Sequence, residues 1–282
     1  MPLIINTNTM SLNAQRNLGA NTNALAKSLE KLSSGYRINR AGDDAAGLQV
    51  SERLRTQIRG SQKALDNVQD GVNVLNIADG AMSVLTENLQ RMRELAVQAA
   101  NSTYSAGQRV AIKQELDARA ADITRIANAT QFNGVFLLNG TANSLGNFTL
   151  QVGPNNISAN DTIDIGATGA FNAVNATSLA VNNLLVDNIA NSQATLGAVD
   201  AAIDTVNSRR GLLGSVVNQL SSAQENLQIS IENLQSAESR IRNVDVAAES
   251  ATMARNQILQ QSALTVLAQA NQAPSLALKL LQ

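Results

Sequence analysis

Apolar residues recur every seven positions through the C-terminal half of the chain, at Val199, Val206, Leu213, Leu220, Leu227, Leu234 and Ile241. Leu196, Ile203, Val217 and Ile231 fill a second seam position, interrupted by Arg210, Gln224 and Glu238. A heptad sustained this long predicts a coiled-coil helix from about Ser192 to about Asn243, roughly 75–80 Å at ~1.5 Å per residue. The N-terminal half carries a matching partner. Leu65, Val68, Val72, Leu75, Ala78, Met82, Leu85, Leu89, Met92, Ala96 and Ala99 step by three and four, with the register disturbed near Asp79 and Gly80. Leu95 falls off this seam, in a row with Asn88, Arg91 and Gln98, and reads as an exposed leucine. After a Ser/Thr/Gly break at 102–107, a shorter helix is predicted from about Ala106 to Asn128, with Val110, Leu116, Ile123 and Ile126 along it. Proline occurs only at positions 2, 154 and 274, so both long patterns are free of this breaker. The fold expected is mainly α: a long antiparallel coiled coil or helical bundle.

Between the two long patterns the period changes. Asn133-Gly134 and Asn139-Gly140 are turn signals on either side of an apolar run, and 147–153 and 162–166 alternate as strands do. A small β-hairpin element at the tip of the bundle follows from them, over about 130–166. An Asn/Ala/Ser/Thr-rich stretch then runs to Asn191. No Lys or Arg lies between Arg125 and Arg209, where five Asp and no Glu leave a charge of about −5. This composition reads as a solvated surface insertion. The Asn-x-Ser/Thr triplets, most of them in this same stretch, read as chance in a region rich in those residues.

Charge is distributed unevenly. Residues 1–26 hold only Arg16, and residues 256–282 only Lys279. Soluble monomers place charge on every exposed helix face, because a neutral apolar face invites association. Charge-stripped ends are therefore expected to be buried against copies of the same chain. The first 16 residues lack a basic n-region, so they do not read as a secretory signal peptide. Residues 256–278 contain ten Gln, Asn, Ser or Thr and Pro274, too polar for a membrane span.

The composition gives catalysis no support without forbidding it, since Asp, Glu, Lys and Ser remain. Hydrophobic residues make up 44% and aromatics 2%, with no Trp, which suits aliphatic helix seams. The chain has no His and no Cys, so the commonest acid–base group, metal ligands and thiol nucleophile are missing. Neither a P-loop nor HExxH nor GxSxG occurs. No catalytic, cofactor-binding or metal site is expected. A net charge of −1 gives no general attraction to nucleic acid.

Residues 28–60 (SLEKLSSGYRINRAGDDAAGLQVSERLRTQIRG) and 237–281 (AESRIRNVDVAAESATMARNQILQQSALTVLAQANQAPSLALKLL) resemble the paired terminal signatures of bacterial flagellin. LQRMRELAVQAANSTYS at 89–105 and QFNGVFLLNG at 131–140 extend the resemblance, which covers roughly 1–140 and 190–282. With 50–60 residues left in the middle, this is similar to a short form without large outer domains. The resemblance implies a discontinuous architecture. Residues 1–42 with 253–282 would pair as a tube-lining polymerisation domain. Residues 43–190 with 191–252 would form the helical bundle, including the hairpin region 130–166 and a variable tip at 167–190.

It also implies a function: subunits polymerise into the extracellular helical filament of bacterial swimming motility. The nearest alternative is the related hook–filament junction protein. Leu18, Leu25, Leu29 and Leu32, with Leu259, Ala263, Val266, Ala270, Leu276 and Leu280, are the candidate self-assembly stripes. Arg37, Arg40, Asp43 and Asp44 flank a Gly-containing turn, the expected inter-domain connector. Arg91, Leu95 and Glu115 match the pattern with which flagellins meet the next subunit and a host Toll-like receptor. Further partners implied are the junction protein, the filament cap, the flagellar type III export apparatus and an export chaperone on the C-terminal segment. The zinc protease insert of some flagellins requires HExxH and is excluded here. Export by that route leaves the N-terminus uncleaved. Mass spectrometry of secreted protein should find it intact apart from loss of Met1, and a start trimmed by 15–30 residues, as signal peptidase leaves, would contradict the route.

Overall fold

The computed structural model describes residues 7–141 and 148–279, with side chains as far as Gln272 in the last helix. Helices α1 (Thr9–Ser34), α2 (Ala45–Ala99) and α3 (Ala106–Ala129) are followed by strands β1 (Gln131–Phe132) and β2 (Val135–Phe136). Strand β3 (Thr149–Gln151), the one-turn helix α4 (Ser158–Asp161) and strand β4 (Thr162–Asp164) come next. Two long helices, α5 (Ile189–Arg242) and α6 (Val246–Lys279), complete the described chain.

Each of the five long helices starts where a side chain covers its orphan amides. Asn8 accepts from the Ser11 N–H at 3.0 Å, Asp44 from Gly47 at 2.8 Å, Asn188 from Asn191 at 2.8 Å and Asp245 from Ala247 at 2.9 Å. Ser105 and Gln108 form a reciprocal capping box at the start of α3. Helix α1 stops at Gly35, whose φ of 74° lets its N–H reach back to the Lys31 carbonyl at 2.9 Å.

The chain divides into two compact units, one of residues up to Thr56 with those from Asn233 on, the other Gln57–Glu232. The division falls inside α2 and α5. The reason is local: the turn after α1 and the turn before α6 hydrogen-bond to each other, so both belong to the first unit.

In the second unit, α2 and α5 run antiparallel beside α3. Arg210 meets Asp79 at 2.7 Å and Arg93 meets Asp200 at 2.6 Å across the long pair. Leu75, Met82, Leu85, Leu89 and Met92 of α2 are completely buried, as are Val199, Val206 and Leu220 of α5. The first heptad seam therefore faces the core as expected. The second does not: the buried partners are Thr195, Ala202 and Val216, each one residue before Leu196, Ile203 and Val217, which stay half-buried. A third element wedges against α5 from the other side, and the smaller residues take the tight position.

That third element includes the stretch expected to be a surface insertion. Ile165, Ala170, Phe171 and Val174 are completely buried, and Val181 and Val186 nearly so. Phe171 stands edge-on to Phe148 with ring centroids 5.3 Å apart. Arg209 of α5 donates to the carbonyls of Asn172 and Ala173, tying the segment to the bundle. The expectation fails because an irregular segment buries residues at no fixed period.

The β region is two hairpins rather than one. Asn133 (φ 48°) and Gly134 (φ 80°) make the two-residue turn that pairs Phe132 with Val135. The other hairpin pairs Leu150 with Ile163 and lies on α2. Asn67 donates to the Gln151 carbonyl at 3.2 Å, and a Cβ on Gly71 would collide with Cδ1 of Leu150. A mid-helix glycine costs about 1 kcal/mol relative to alanine, and here it opens the seat for that leucine.

Leu95 is 2% exposed and joins the core, contrary to the exposed row expected for it. Helix α2 meets both α3 and α5, so its buried arc is wider than one seam. Beside it, Arg91 does lie at the surface, 3.1 Å from Glu115 and 2.9 Å from Glu94. Glu94, then Glu115, raise the Arg91 pKa further above its ordinary value. Phe171→Ala should therefore cost about 3–5 kcal/mol and Leu95→Ala about 2–5 kcal/mol. Arg91→Ala, which removes only exposed ion pairs, should leave the midpoint close to that of the wild type. Urea unfolding of the three variants checks this, and a wild-type midpoint for Phe171→Ala would make 167–187 a surface insertion after all.

Candidate functional site

The terminal helices α1 and α6 lie antiparallel in the first unit. Asn8 donates to the Ala270 carbonyl at 2.8 Å, Ser11 to Asn271 at 2.7 Å and Gln260 to Thr22 at 3.3 Å. Lys31 reaches Glu249 at 3.7 Å near the opposite end. The inner stripe is made of small residues: Ala14, Ser28 and Ala270 are buried. Small side chains let two helices approach closely, and the polar links fix their register.

Several large aliphatic residues point the other way. Met10 is 62% exposed, Leu12 57%, Ile258 63% and Leu264 51%. Met10, Asn13 and Asn17 of α1 and Val266 and Gln269 of α6 line a shallow groove along the pair. Scattered apolar residues on a surface are ordinary, but this many on the outer faces of one helix pair leave much apolar surface in contact with water.

The sequence-derived stripes divide between these two roles. Leu18, Leu25, Leu32 and Ala263 are half-buried and Ala270 is buried, so they belong to the pairing face. Leu29, Leu259 and Val266 are 51%, 43% and 55% exposed and belong to the outer faces. Leu276 and Leu280 lie outside the described side chains. Met10, Leu12, Ile258 and Leu264 fell off the chosen spacings. The signal that could have found them is the lack of charge on every face of these helices, not on one stripe.

The connector residues are held individually. Arg37 donates from its backbone to the Arg242 carbonyl and from its guanidinium to the Ile241 carbonyl, both at 2.7 Å. Arg40 pairs with Glu30 at 2.9 Å. Asp43 accepts from the Arg40 and Asn39 amides, which in that order hold its carboxyl below its ordinary value. Such a group stabilises the turn above its unfolded pKa, and that contribution fades as pH falls through its folded one. Asp44 caps α2.

Two residues absent from the sequence reading complete a clasp. The Val244 N–H returns to the Gly35 carbonyl at 3.0 Å, and Tyr36 bridges Asn243. The Arg242 guanidinium lies 4.6 Å over the Tyr36 ring and 2.8 Å from Glu52. Ile38 is buried beneath it at 2% exposure.

Among the described residues no cluster of three or more acidic side chains is placed to hold a metal ion, and no helix is long and apolar enough to cross a membrane.

Models of the bacterial flagellin N-terminal and C-terminal helical regions match residues 5–143 and 185–281. The flagellin of Halalkalibacterium halodurans is 42% identical, over 99% of this chain and 100% of that protein. The flagellin of Bacillus subtilis is 43% identical over 99% of each. A putative flagellar hook-associated protein from Vibrio parahaemolyticus, 17% identical, shares the fold with a TM-score of 0.56 over 71% of this chain and 100% of that one. Matched along nearly its whole length, the chain belongs to the bacterial flagellin family.

Proposed function

We infer that this chain is a structural subunit of the bacterial flagellar filament that polymerises through the outer faces of α1 and α6. The observation that carries the reading is the exposure of Met10, Leu12, Leu29, Ile258, Leu259, Leu264 and Val266 on a helix pair whose stretches 9–26 and 256–278 hold Arg16 as their one charged side chain. Each such side chain gains about 1.5–3 kcal/mol when fully buried. Association costs on the order of 4–15 kcal/mol, so several neighbours must each cover part of the surface. A helical lattice provides them.

The finer roles follow the family. The terminal pair lines the filament tube. The subunit leaves the cell uncleaved through the flagellar type III apparatus, its C-terminal segment shielded by a chaperone, and adds beneath a cap to a filament rooted on the junction protein. The Arg91–Glu115 pair offers an exposed polar surface to the next subunit and to a host Toll-like receptor, while Leu95 acts only by holding α2 in place beneath it.

Deleting residues 256–282 should abolish polymerisation and leave the 57–232 bundle folded. The double variant Ile258→Asp/Leu264→Asp should do the same without shortening the chain. Sedimentation and electron microscopy read assembly, and circular dichroism reads the bundle. Wild-type filaments from both variants would sink the reading.

A further inference from the structure

We propose that a basic stripe on α2, Arg59 and Lys63, docks against an acidic stripe on α5, Glu225 and Glu232, of a second copy of this chain. This deepens the filament reading and rests on it. Arg59, Glu225 and Glu232 are exposed, and none has an ion-pair partner among the described residues. Lys63 is held only by Asp66, an exposed pair three residues along the same helix at 3.1 Å. Such pairs contribute little and exchange readily.

The two stripes face away from the core. Ile58, Ser61 and Ala64 of α2 are buried on the opposite side from Arg59 and Lys63. From Ser221 to Glu232, Leu227 is the one buried residue of α5. Between the glutamates Ile229 stands 52% exposed, one turn from each. An apolar side chain flanked by two acids on a solvent face has the form of a docking stripe with a polar rim.

The dimensions agree. Arg59 and Lys63 are about 6 Å apart along their helix and the glutamates about 10.5 Å, a difference that long basic side chains span. The partner is argued from charge. The chain has a net charge of only −1, yet Arg59 on one helix and both glutamates on the other stand exposed without an ion-pair partner among the described residues, and Lys63 has only a weak exposed one. Another copy always brings the complement of each. Docking of one stripe on the other is head-to-tail, and head-to-tail contacts that do not close into a ring propagate as open helical filaments.

The test uses full-length monomers seeded with wild-type filament fragments, with elongation followed by light scattering. The α2 reversal Arg59→Glu/Lys63→Glu and the α5 reversal Glu225→Arg/Glu232→Arg should each slow elongation about tenfold at low salt. The deficit should shrink toward half-molar salt as screening removes the repulsion. Mixing the two variants in equal amounts should restore growth, because each then presents the complement of the other. The chain carrying both reversals should grow alone at the wild-type rate from seeds made of that same chain. All variants should melt as wild type does, since the residues are exposed. Wild-type growth of the single-stripe variants at low salt would overturn the stripe pairing and leave the filament reading intact. Slow growth that neither mixing nor double reversal rescues would overturn it too. Failure of the wild-type chain itself to form filaments would remove both.

Discussion

Two helices laid side by side can cover only one stripe of each other. In α1 and α6 the fully buried positions go to small residues, Ala14, Ser28 and Ala270, with Leu18, Leu25 and Leu32 half-buried beside them, and Met10, Leu12, Ile258 and Leu264 are left outside. This reverses the usual order, in which the bulkiest apolar groups face inward. Everything else about the first unit follows from the inversion. Polar links such as Asn8 to Ala270 and Ser11 to Asn271 must fix the register, because close-packed alanines alone slide easily. The charged residues gather at the far end of the pair, where Lys31 meets Glu249.

The second unit solves the same geometric problem differently. Helix α2 has α3 on one side and α5 on the other, and an irregular segment closes the remainder, so its apolar residues find cover within the chain. Phe171, Leu137 and Leu138 are completely buried although none lies on a helix. A unit that satisfies its own apolar surface is stable alone; a unit that cannot do so depends on its neighbours.

Much of this could be read from the residues, and the gaps have physical causes. A repeat such as Val199, Val206, Leu213 and Leu220 survives because one partner helix imposes one period. The second seam was placed one residue late, at Leu196, Ile203 and Val217 rather than Thr195, Ala202 and Val216. Hydrophobicity favours the larger side chains, whereas the close approach of a further element favours the smaller ones. Leu95 was misread for the related reason that two partners widen the buried arc. The segment 167–187 left no trace, since loops have no period to detect. The charge-poor stretches are visible in the residues, but which side chains pair and which protrude needed the coordinates. The role of Tyr36 and Arg242 was invisible because residues 206 positions apart announce no contact.

That clasp changes the polymer arithmetic of the chain. Asn8 and Ala270 are separated by 262 residues, and closing so large a loop directly carries an entropy cost that grows with its length. Once Tyr36 has bridged Asn243 and Val244 has bonded Gly35, the effective connection between the end of α1 and the start of α6 is a handful of residues. The terminal helices then behave as a hairpin of two helices, for which zipping is a local event. Long-range topology is thereby converted into short contact order at the last step, and rapid pairing becomes available to ends that the ribosome makes far apart in time.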